Sequence, residues 1–99
     1  MATTEVKIGW SKRAEHHLRA AYQYWSNEKS EAAALMLERI LSTVDLLAQN
    51  PELGRHGRIS QTRELVLKPL PFVLAYRLRR NHIEVVALLH GARKWPQAF

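Results

Sequence analysis

The feature that most constrains the fold is a change of hydrophobic period along the chain. Val6, Ile8 and Trp10 alternate with Lys7 and Gly9, which is the period of a half-buried strand. Apolar residues then recur every three or four positions in two runs: Ala14, Leu18, Ala21 and Trp25, then Ala33, Leu37, Ile40, Val44 and Leu47. Alternation returns after residue 62. A strand, two amphipathic helices and further strands indicate the α+β class.

Local signals set the helix boundaries. Ser11 is a suitable N-cap, because its hydroxyl can accept from a free amide of the first turn, and the first helix is expected to end near Ser26. A polar break at 27–30 leads into the second helix, which should end at Asn50, the residue before Pro51. Such a short break predicts an antiparallel helical hairpin.

The remaining segment predicts a loop and a β-meander. Residues 50–61, NPELGRHGRISQ, lack periodicity and predict a surface loop. Three strands are expected at Arg63 to Lys68, Phe72 to Arg79 and His82 to His90, joined by turns at Pro69-Leu70 and Arg80-Asn81. The predicted architecture is β-α-α-β-β-β, with the helical hairpin on a small antiparallel sheet in one domain, residues 1–99.

Two-residue turns would fix the strand register and therefore the two faces of the sheet. Position 77 would lie opposite 84, and 67 opposite 72. One face would be apolar and pack on the helices: Leu65, Leu67, Phe72, Leu74, Tyr76, Leu78, Ile83, Val85, Ala87 and Leu89. The other would be open: Glu64, Val66, Val73, Ala75, Arg77, Arg79, His82, Glu84, Val86, Leu88 and His90. Any chemistry is expected on this open face or at its rim.

Charge and composition limit the possible functions. Residues 1–54 carry a net charge of −1 and residues 55–99 a net +7, so the second half should attract nucleic acid or an acidic protein. The absence of cysteine suits a reducing compartment. No apolar run approaches the roughly 20 residues of a membrane span, and the N-terminus lacks the pattern of a signal peptide. We therefore expect a cytoplasmic protein without membrane contact.

Glu64, Arg77 and His90 would share the open face, and they supply the acid, base and phosphate-binding groups of a metal-free ribonuclease. A structural interpretation of Arg77 is favoured, since Arg77 would face Glu84 across the strands, and such a pair contributes about 0.2 to 1 kcal/mol. His16 and His17 are about 100° apart on a helix and cannot share a metal. No cofactor or metal is expected.

Four motifs in this order carry a family resemblance: NPELGR at 50–55, TRELV at 62–66, LPFVLAYRL at 70–78 and HGARKWP at 90–96. The chain resembles the RelE/ParE superfamily of bacterial toxins over nearly its whole length, and the ParE branch most nearly. The resemblance implies the toxin of a type II toxin–antitoxin pair, bound by a small acidic antitoxin in a hetero-oligomer. It marks six motif positions: Arg63, Tyr76, Arg77, His90, Arg93 and Trp95.

The resemblance implies different chemistry in the two branches. ParE-type toxins poison DNA gyrase, whereas RelE-type toxins cut messenger RNA on the ribosome with basic residues, including an Arg where this chain has Pro71-Phe72. A gyrase inhibitor is therefore expected, with a RelE-like nuclease or a non-toxic antitoxin-binding homologue as alternatives. A nuclease would use Glu64 or Glu84 as base, Arg77 or Arg93 as phosphate clamp and His90 as acid. Target or antitoxin contacts are expected from Arg58, Arg63, Arg79, Arg80, Arg93, Lys94 and Trp95, and unpaired rim charge from Arg55, Arg58, Arg79, Arg80, Arg93 and Lys94.

Overall fold

A computed structural model describes residues 6–91 and 94–99 as two helices and one sheet. The elements are β1 (Lys7–Trp10), α1 (Lys12–Glu28), α2 (Ser30–Gln49), β2 (Arg55–His56), β3 (Arg63–Val66), β4 (Phe72–Arg79) and β5 (His82–His90). The strands form a five-stranded sheet in the order β1-β5-β4-β3-β2. The predicted α+β class with a helical hairpin on a small sheet is confirmed, and the sheet is antiparallel except at β1.

The helical hairpin has the expected boundaries to within a few residues. Ser11 caps α1, since its hydroxyl accepts from the Ala14 amide at 3.0 Å. Lys29 alone separates the helices, with φ −154° and ψ 112°. α2 ends at Gln49, just before the Asn50-Pro51 pair. No helix among the described residues is long and apolar enough to cross a bilayer.

Two features of the sheet differ from the prediction. Arg55 and His56 form β2 within the segment predicted to be a loop, where they pair with Glu64 and Arg63. β1 pairs with β5 in parallel rather than antiparallel orientation. A two-residue strand leaves no periodic signal, and the alternation in β1 carries no information about the direction of its neighbour.

A β-bulge at Val86 changes the predicted faces of β5. Arg77 lies opposite Glu84 as predicted, and Tyr76 lies opposite Val85, but Ala75 lies opposite Ala87, so Val86 has no partner on β4. Because one extra residue inverts the alternation beyond it, the face predicted for residues 87–90 is wrong. Leu88 joins the core against the helices, whereas Ala87 and Leu89 belong to a second apolar cluster on the other face.

The bulge therefore moves His90 away from the predicted site. His90 lies opposite Phe72 in the sheet, and the two rings meet edge to face with centroids 6.1 Å apart. Phe72 packs against the helix-side core. His90 is thus on the helix side of the sheet and does not share a face with Glu64, Glu84 and Arg77.

α1 supplies polar partners to the bulged backbone. The Ser11 hydroxyl donates to the Val86 carbonyl at 3.2 Å, and the Leu88 amide donates to Nδ1 of His17 at 3.2 Å. The Ser11 amide donates to the Val85 carbonyl at 2.9 Å. These bonds satisfy main-chain groups of β5 at and beyond the point where β1 ends, opposite Val85, so Ser11 and α1 hold β5 at the bulge.

Candidate functional site

The second face of the sheet is covered by the C-terminal segment, residues 94–99. Trp95 and Phe99 pack against a cluster of small and aliphatic side chains that consists of Ala75, Val86, Ala87 and Leu89. The sequence predicts this face to be open. The segment and the charged groups around it form the candidate site, because they hold most of the basic side chains that the motifs mark.

Glu64 is the buried centre of the charged groups. It is 3% exposed and accepts four hydrogen bonds: from the Arg58 amide at 2.7 Å, from Arg58 Nε and Nη2 at 3.1 and 3.2 Å, and from Arg55 Nη2 at 3.2 Å. Burial by itself would raise the pKa of Glu64, but the bonds from Arg58 and Arg55 outweigh it and hold the pKa below the ordinary value. Glu64 lies opposite Ala75 and so diagonal to Arg77, as the register predicts, but its hydrogen bonds come from Arg58 and Arg55.

Arg58 connects the Glu64 carboxylate to the C-terminal segment. Its guanidinium carbon lies 3.7 Å from the centroid of the Trp95 ring, within the range of a cation–π contact. Trp95 Nε1 is buried and has no hydrogen-bond partner among the described residues. Trp95 is therefore held by stacking and apolar packing. Glu64 fixes the orientation of the Arg58 side chain, and this orientation sets the position at which Trp95 stacks.

Tyr76 holds the NPELGR segment against the sheet. Its hydroxyl donates to the Pro51 carbonyl at 2.9 Å and accepts from the Gly54 amide at 2.8 Å. Arg63 donates to the carbonyls of Gly54 at 2.7 Å and Glu52 at 3.3 Å. Burial raises the pKa of the Tyr76 hydroxyl, so it stays protonated and able to donate. Two positions marked by the resemblance, Arg63 and Tyr76, thus hold a loop.

Arg77 and Arg79 share one carboxylate at the end of β4. Glu84 Oε1 lies 3.9 Å from Arg77 Nη1 and 3.5 Å from Arg79 Nη2. Arg77 Nη2 also donates to the main-chain carbonyl of Phe99 at 3.3 Å. The cross-strand pair of Arg77 with Glu84 is confirmed, and it extends to Arg79.

The predicted rim of unpaired cations is only partly present. Arg55 and Arg58 pair with Glu64, and Arg79 pairs with Glu84, so the prediction that these three are unpaired is wrong. Arg80 and Lys94 form no ion pair with a carboxylate in the described part of the chain. Arg93 lies outside the described residues. For Arg55 the error arises because the sequence predicts a loop where β2 forms. It is the pairing of β2 with β3 that brings Arg55 to the buried Glu64.

Residues without a marked role also contribute to the site. Arg13 lies on α1, and its guanidinium carbon is 5.5 Å from the centroid of the Phe99 ring. Gly54 lies so close to Tyr76 that an added Cβ would be 2.7 Å from its hydroxyl oxygen. The glycine could have been recognised in NPELGR as a position of close backbone approach, whereas Arg13 has the appearance of a solvated cation on a helix. No group of three potential metal ligands occurs within residues 6–91 and 94–99.

The lowered pKa of Glu64 predicts a loss of stability in acid. Because the folded value lies below the unfolded one, the stabilisation is complete above the ordinary value of 4.5 and is lost as pH falls through the folded pKa. We expect the free energy of unfolding, measured with urea at pH 7, 4 and 3, to fall more steeply for the parent than for Glu64→Gln. Exposed Glu38 on α2 gives the control, Glu38→Gln, which should keep the parent's slope. A parental slope in Glu64→Gln would contradict the assignment.

The fold and site together define a class: a small basic domain in which a helical hairpin backs a five-stranded sheet and a C-terminal segment covers the opposite face. Residues 8–95 match the family model described as the ParE toxin of the type II toxin–antitoxin system parDE. This chain belongs to the ParE toxin family. It is accordingly a toxin of the type II toxin–antitoxin class, for which an antitoxin is the expected partner.

Individual relatives agree with the family assignment. The chain is 40% identical to toxin Y4kP of Sinorhizobium fredii over 91 residues, which cover 92% of this chain and 94% of that protein. It is 33% identical to toxin RelE2 of Caulobacter vibrioides over 88 residues, 89% of this chain and 98% of that one. A solved chain of the chromosomal ParDE system from P. aeruginosa matches with a TM-score of 0.78 and 24% identity, over 87% and 96% of the two chains. At that identity the structural match supports the fold alone.

Proposed function

We propose that this toxin acts by docking on DNA gyrase and blocking its supercoiling cycle, rather than by cutting RNA. The observation that carries the proposal is the separation of the nuclease candidates. Glu64 and Arg77 belong to different charge clusters, and the bulge at Val86 puts His90 on the opposite face of the sheet. General acid–base catalysis needs its groups within hydrogen-bonding reach of one substrate, so this arrangement favours binding over cleavage.

The ionisation of Glu64 also favours a binding function. A general base near neutral pH works best with a pKa raised toward 7, whereas the four hydrogen bonds to Glu64 lower its pKa. Glu84 forms ion pairs with the guanidinium groups of Arg77 and Arg79. Both candidate bases are thus already paired with arginines of their own chain.

A basic surface remains for a target or an antitoxin. Arg80 and Lys94 have no carboxylate partner in the described residues, and the half of the chain from residue 55 onward carries a net +7. Such a field speeds encounters with an acidic antitoxin or with the acidic parts of a target. We propose that the cognate antitoxin covers part of this surface in a hetero-oligomer.

The deciding experiment compares two purified systems. The toxin is added to gyrase with relaxed plasmid, and separately to ribosomes that translate a defined messenger RNA. We expect inhibition of supercoiling that cognate antitoxin reverses, with the messenger intact. Messenger cleavage in the ribosomal A site at concentrations that leave gyrase active would reject the proposal, and so would inactivity in both assays.

A substitution of His90 separates the two mechanisms in cells. His90 is exposed at the end of β5 on the helix side, so His90→Ala should leave gyrase inhibition and growth arrest within about twofold of the parent. Loss of a general acid from a nuclease would instead cost about 10²- to 10⁴-fold in rate. Growth after induction and gyrase supercoiling are measured for parent, His90→Ala and, as a matched exposed histidine, His82→Ala. A loss of toxicity confined to His90→Ala would favour the nuclease.

A further inference from the structure

One flank of α2 carries a stripe of exposed side chains with leucine at both ends. Six residues of this helix line a groove of about 540 Å³: Leu35, Glu38, Arg39, Ser42, Thr43 and Leu46. Their spacing of three and four residues places them on one side of the helix. The core side of α2 consists of other residues: Ala33, Met36, Ile40, Val44 and Leu47. We refer to the six groove residues as the α2 stripe.

The two leucines of the α2 stripe are exposed in the single chain. Leu35 is 66% and Leu46 is 49% exposed. Leu37 shares a hollow with Leu18 and Tyr22 of α1. Leu35 lies two residues from Leu37, about 200° around the helix, so the stripe is on the flank of α2 that faces away from α1.

The order of residues in the α2 stripe makes it complementary to a second copy of itself. If two copies of α2 packed antiparallel about a two-fold axis between residues 40 and 41, position 35 would face 46, 38 would face 43 and 39 would face 42. Leucine would meet leucine at both ends, and the long side chains at 38 and 39 would meet the short ones at 43 and 42. The Thr43 hydroxyl already donates to the Arg39 carbonyl at 2.8 Å, so it needs no partner across such an interface.

Charge favours a second copy over an acidic antitoxin at the α2 stripe. Glu38 and Arg39 cancel each other, and neither forms an ion pair within the described residues. In the antiparallel pair, Arg39 of one copy would lie about 6 Å along the axis from Glu38 of the second copy, a distance that long side chains can span. An acidic partner is attracted instead to residues 55–99, which carry the net +7.

From this pattern we propose that the α2 stripe is the interface of an antiparallel homodimer. The arrangement buries the exposed leucines of both copies and sets the two helix dipoles in opposite directions. Six residues a side are fewer than the roughly 20 to 30 of a stable interface, so the dimer is weak, with a dissociation constant of about 0.1 mM. Unfolding measured at about 5 µM therefore refers to the monomer, in which Glu38 is exposed. The proposal does not rest on the action on gyrase.

The orientation of the two helices is tested with single cysteines, because the parent chain has none. Leu35→Cys and Leu46→Cys are purified separately and then mixed, above the dissociation constant, under mild oxidation. The mixture should form disulfide-linked pairs of chains, since positions 35 and 46 face each other. Leu35→Cys alone should stay mostly unlinked, because its two cysteines would be about 16 Å apart along the axis. As much cross-linking in Leu35→Cys alone as in the mixture would overturn the proposal.

Sedimentation equilibrium measures the association itself. Leu35→Gln should weaken dimerisation at least tenfold, since each dimer loses two leucine contacts. Leu41→Gln is the matched control, because Leu41 is also exposed on α2, at 42%, but does not line the groove, and it should dimerise within twofold of the parent.

A charge exchange separates loss of the interface from a folding defect. Glu38→Arg should weaken dimerisation, because it places like charges together, and the double variant Glu38→Arg, Arg39→Glu should restore it. A parent that stays monomeric at ten times the expected dissociation constant, equal weakening in Leu35→Gln and Leu41→Gln, or failure of the exchange to restore association would each overturn the proposal. In the first case, a loss of antitoxin affinity in Leu35→Gln would assign the stripe to the antitoxin instead.

Discussion

Gly54→Ala is expected to lower the free energy of unfolding by about 3 kcal/mol, near the upper end of the usual cost of overpacking. A Cβ at this position would lie 2.7 Å from the Tyr76 hydroxyl oxygen and 2.8 Å from the Glu64 main-chain carbonyl oxygen. One of the two obstacles is backbone in a sheet, and the other is a hydroxyl fixed by two hydrogen bonds, so neither can move cheaply. Urea unfolding at neutral pH measures the change.

Gly9 provides the control for Gly54. It lies in β1 and has nothing within 4 Å of the place where a Cβ would be added. Gly9→Ala should leave stability unchanged or raise it by about 0.5 kcal/mol, because alanine loses less backbone freedom on folding. Equal stabilities of the two variants would show that the close approach of Gly54 to Tyr76 does not constrain the fold.

Tyr76→Phe is expected to cost about 1 to 3 kcal/mol although the ring and its packing remain. The hydroxyl serves the Gly54 amide and the Pro51 carbonyl, and the residue is fully buried, so phenylalanine would leave these two groups without their partner. The loss should appear as a lower urea midpoint with an unchanged slope. It should also increase amide hydrogen exchange at residues 52–55, which a general loss of core packing would not single out.

Tyr24→Phe is the matched substitution on α1. Tyr24 is 68% exposed, so the loss of its hydroxyl should change stability by less than about 0.5 kcal/mol. If Tyr76→Phe behaved like Tyr24→Phe, the hydrogen bonds to Gly54 and Pro51 would not be what holds the loop.

The architecture was predictable because it depends on signals that are local in sequence. Helical spacing between Ala14 and Leu47 located the hairpin, Ser11 and Pro51 marked its ends, and Asn81 adopts the positive φ of 64° that its turn requires. The pairing of Arg77 with Glu84 followed from the same short turn. Helix ends, helical spacing and tight turns depend on residues that are close in sequence, so the pattern of residue types predicts them.

The candidate site was less predictable because it depends on contacts between distant parts of the chain. The bulge at Val86 is held by Ser11 and His17 on α1, and nothing within the sequence of β5 indicates it. The register predicts Glu64 and Arg77 on one face, but it does not indicate that β2 and the residues after it bring Arg55 and Arg58 to Glu64. The C-terminal residues after His90 have no strand or helix period, so the sequence does not predict that Trp95 and Phe99 pack on the sheet.

The C-terminal segment gives Arg58 and Arg77 a shared role. Arg58 stacks on Trp95, and Arg77 donates to the Phe99 carbonyl, so each end of the segment is held by an arginine that also has a carboxylate beside it. A docking target that competes for either guanidinium would loosen the segment. Both arginines are therefore already engaged within their own chain.

The bulge at Val86 has a consequence for how the relatives of this chain are aligned. A homologue one residue shorter at this point could pair regularly along β4, and its last four β5 residues would then exchange sides relative to those of this protein. If an alignment placed the gap at another position, it would align side chains that face the helices in one protein with side chains that face the C-terminal segment in the other. A histidine at the end of β5 in both proteins would then be identical in sequence but would lie on opposite faces of the sheet.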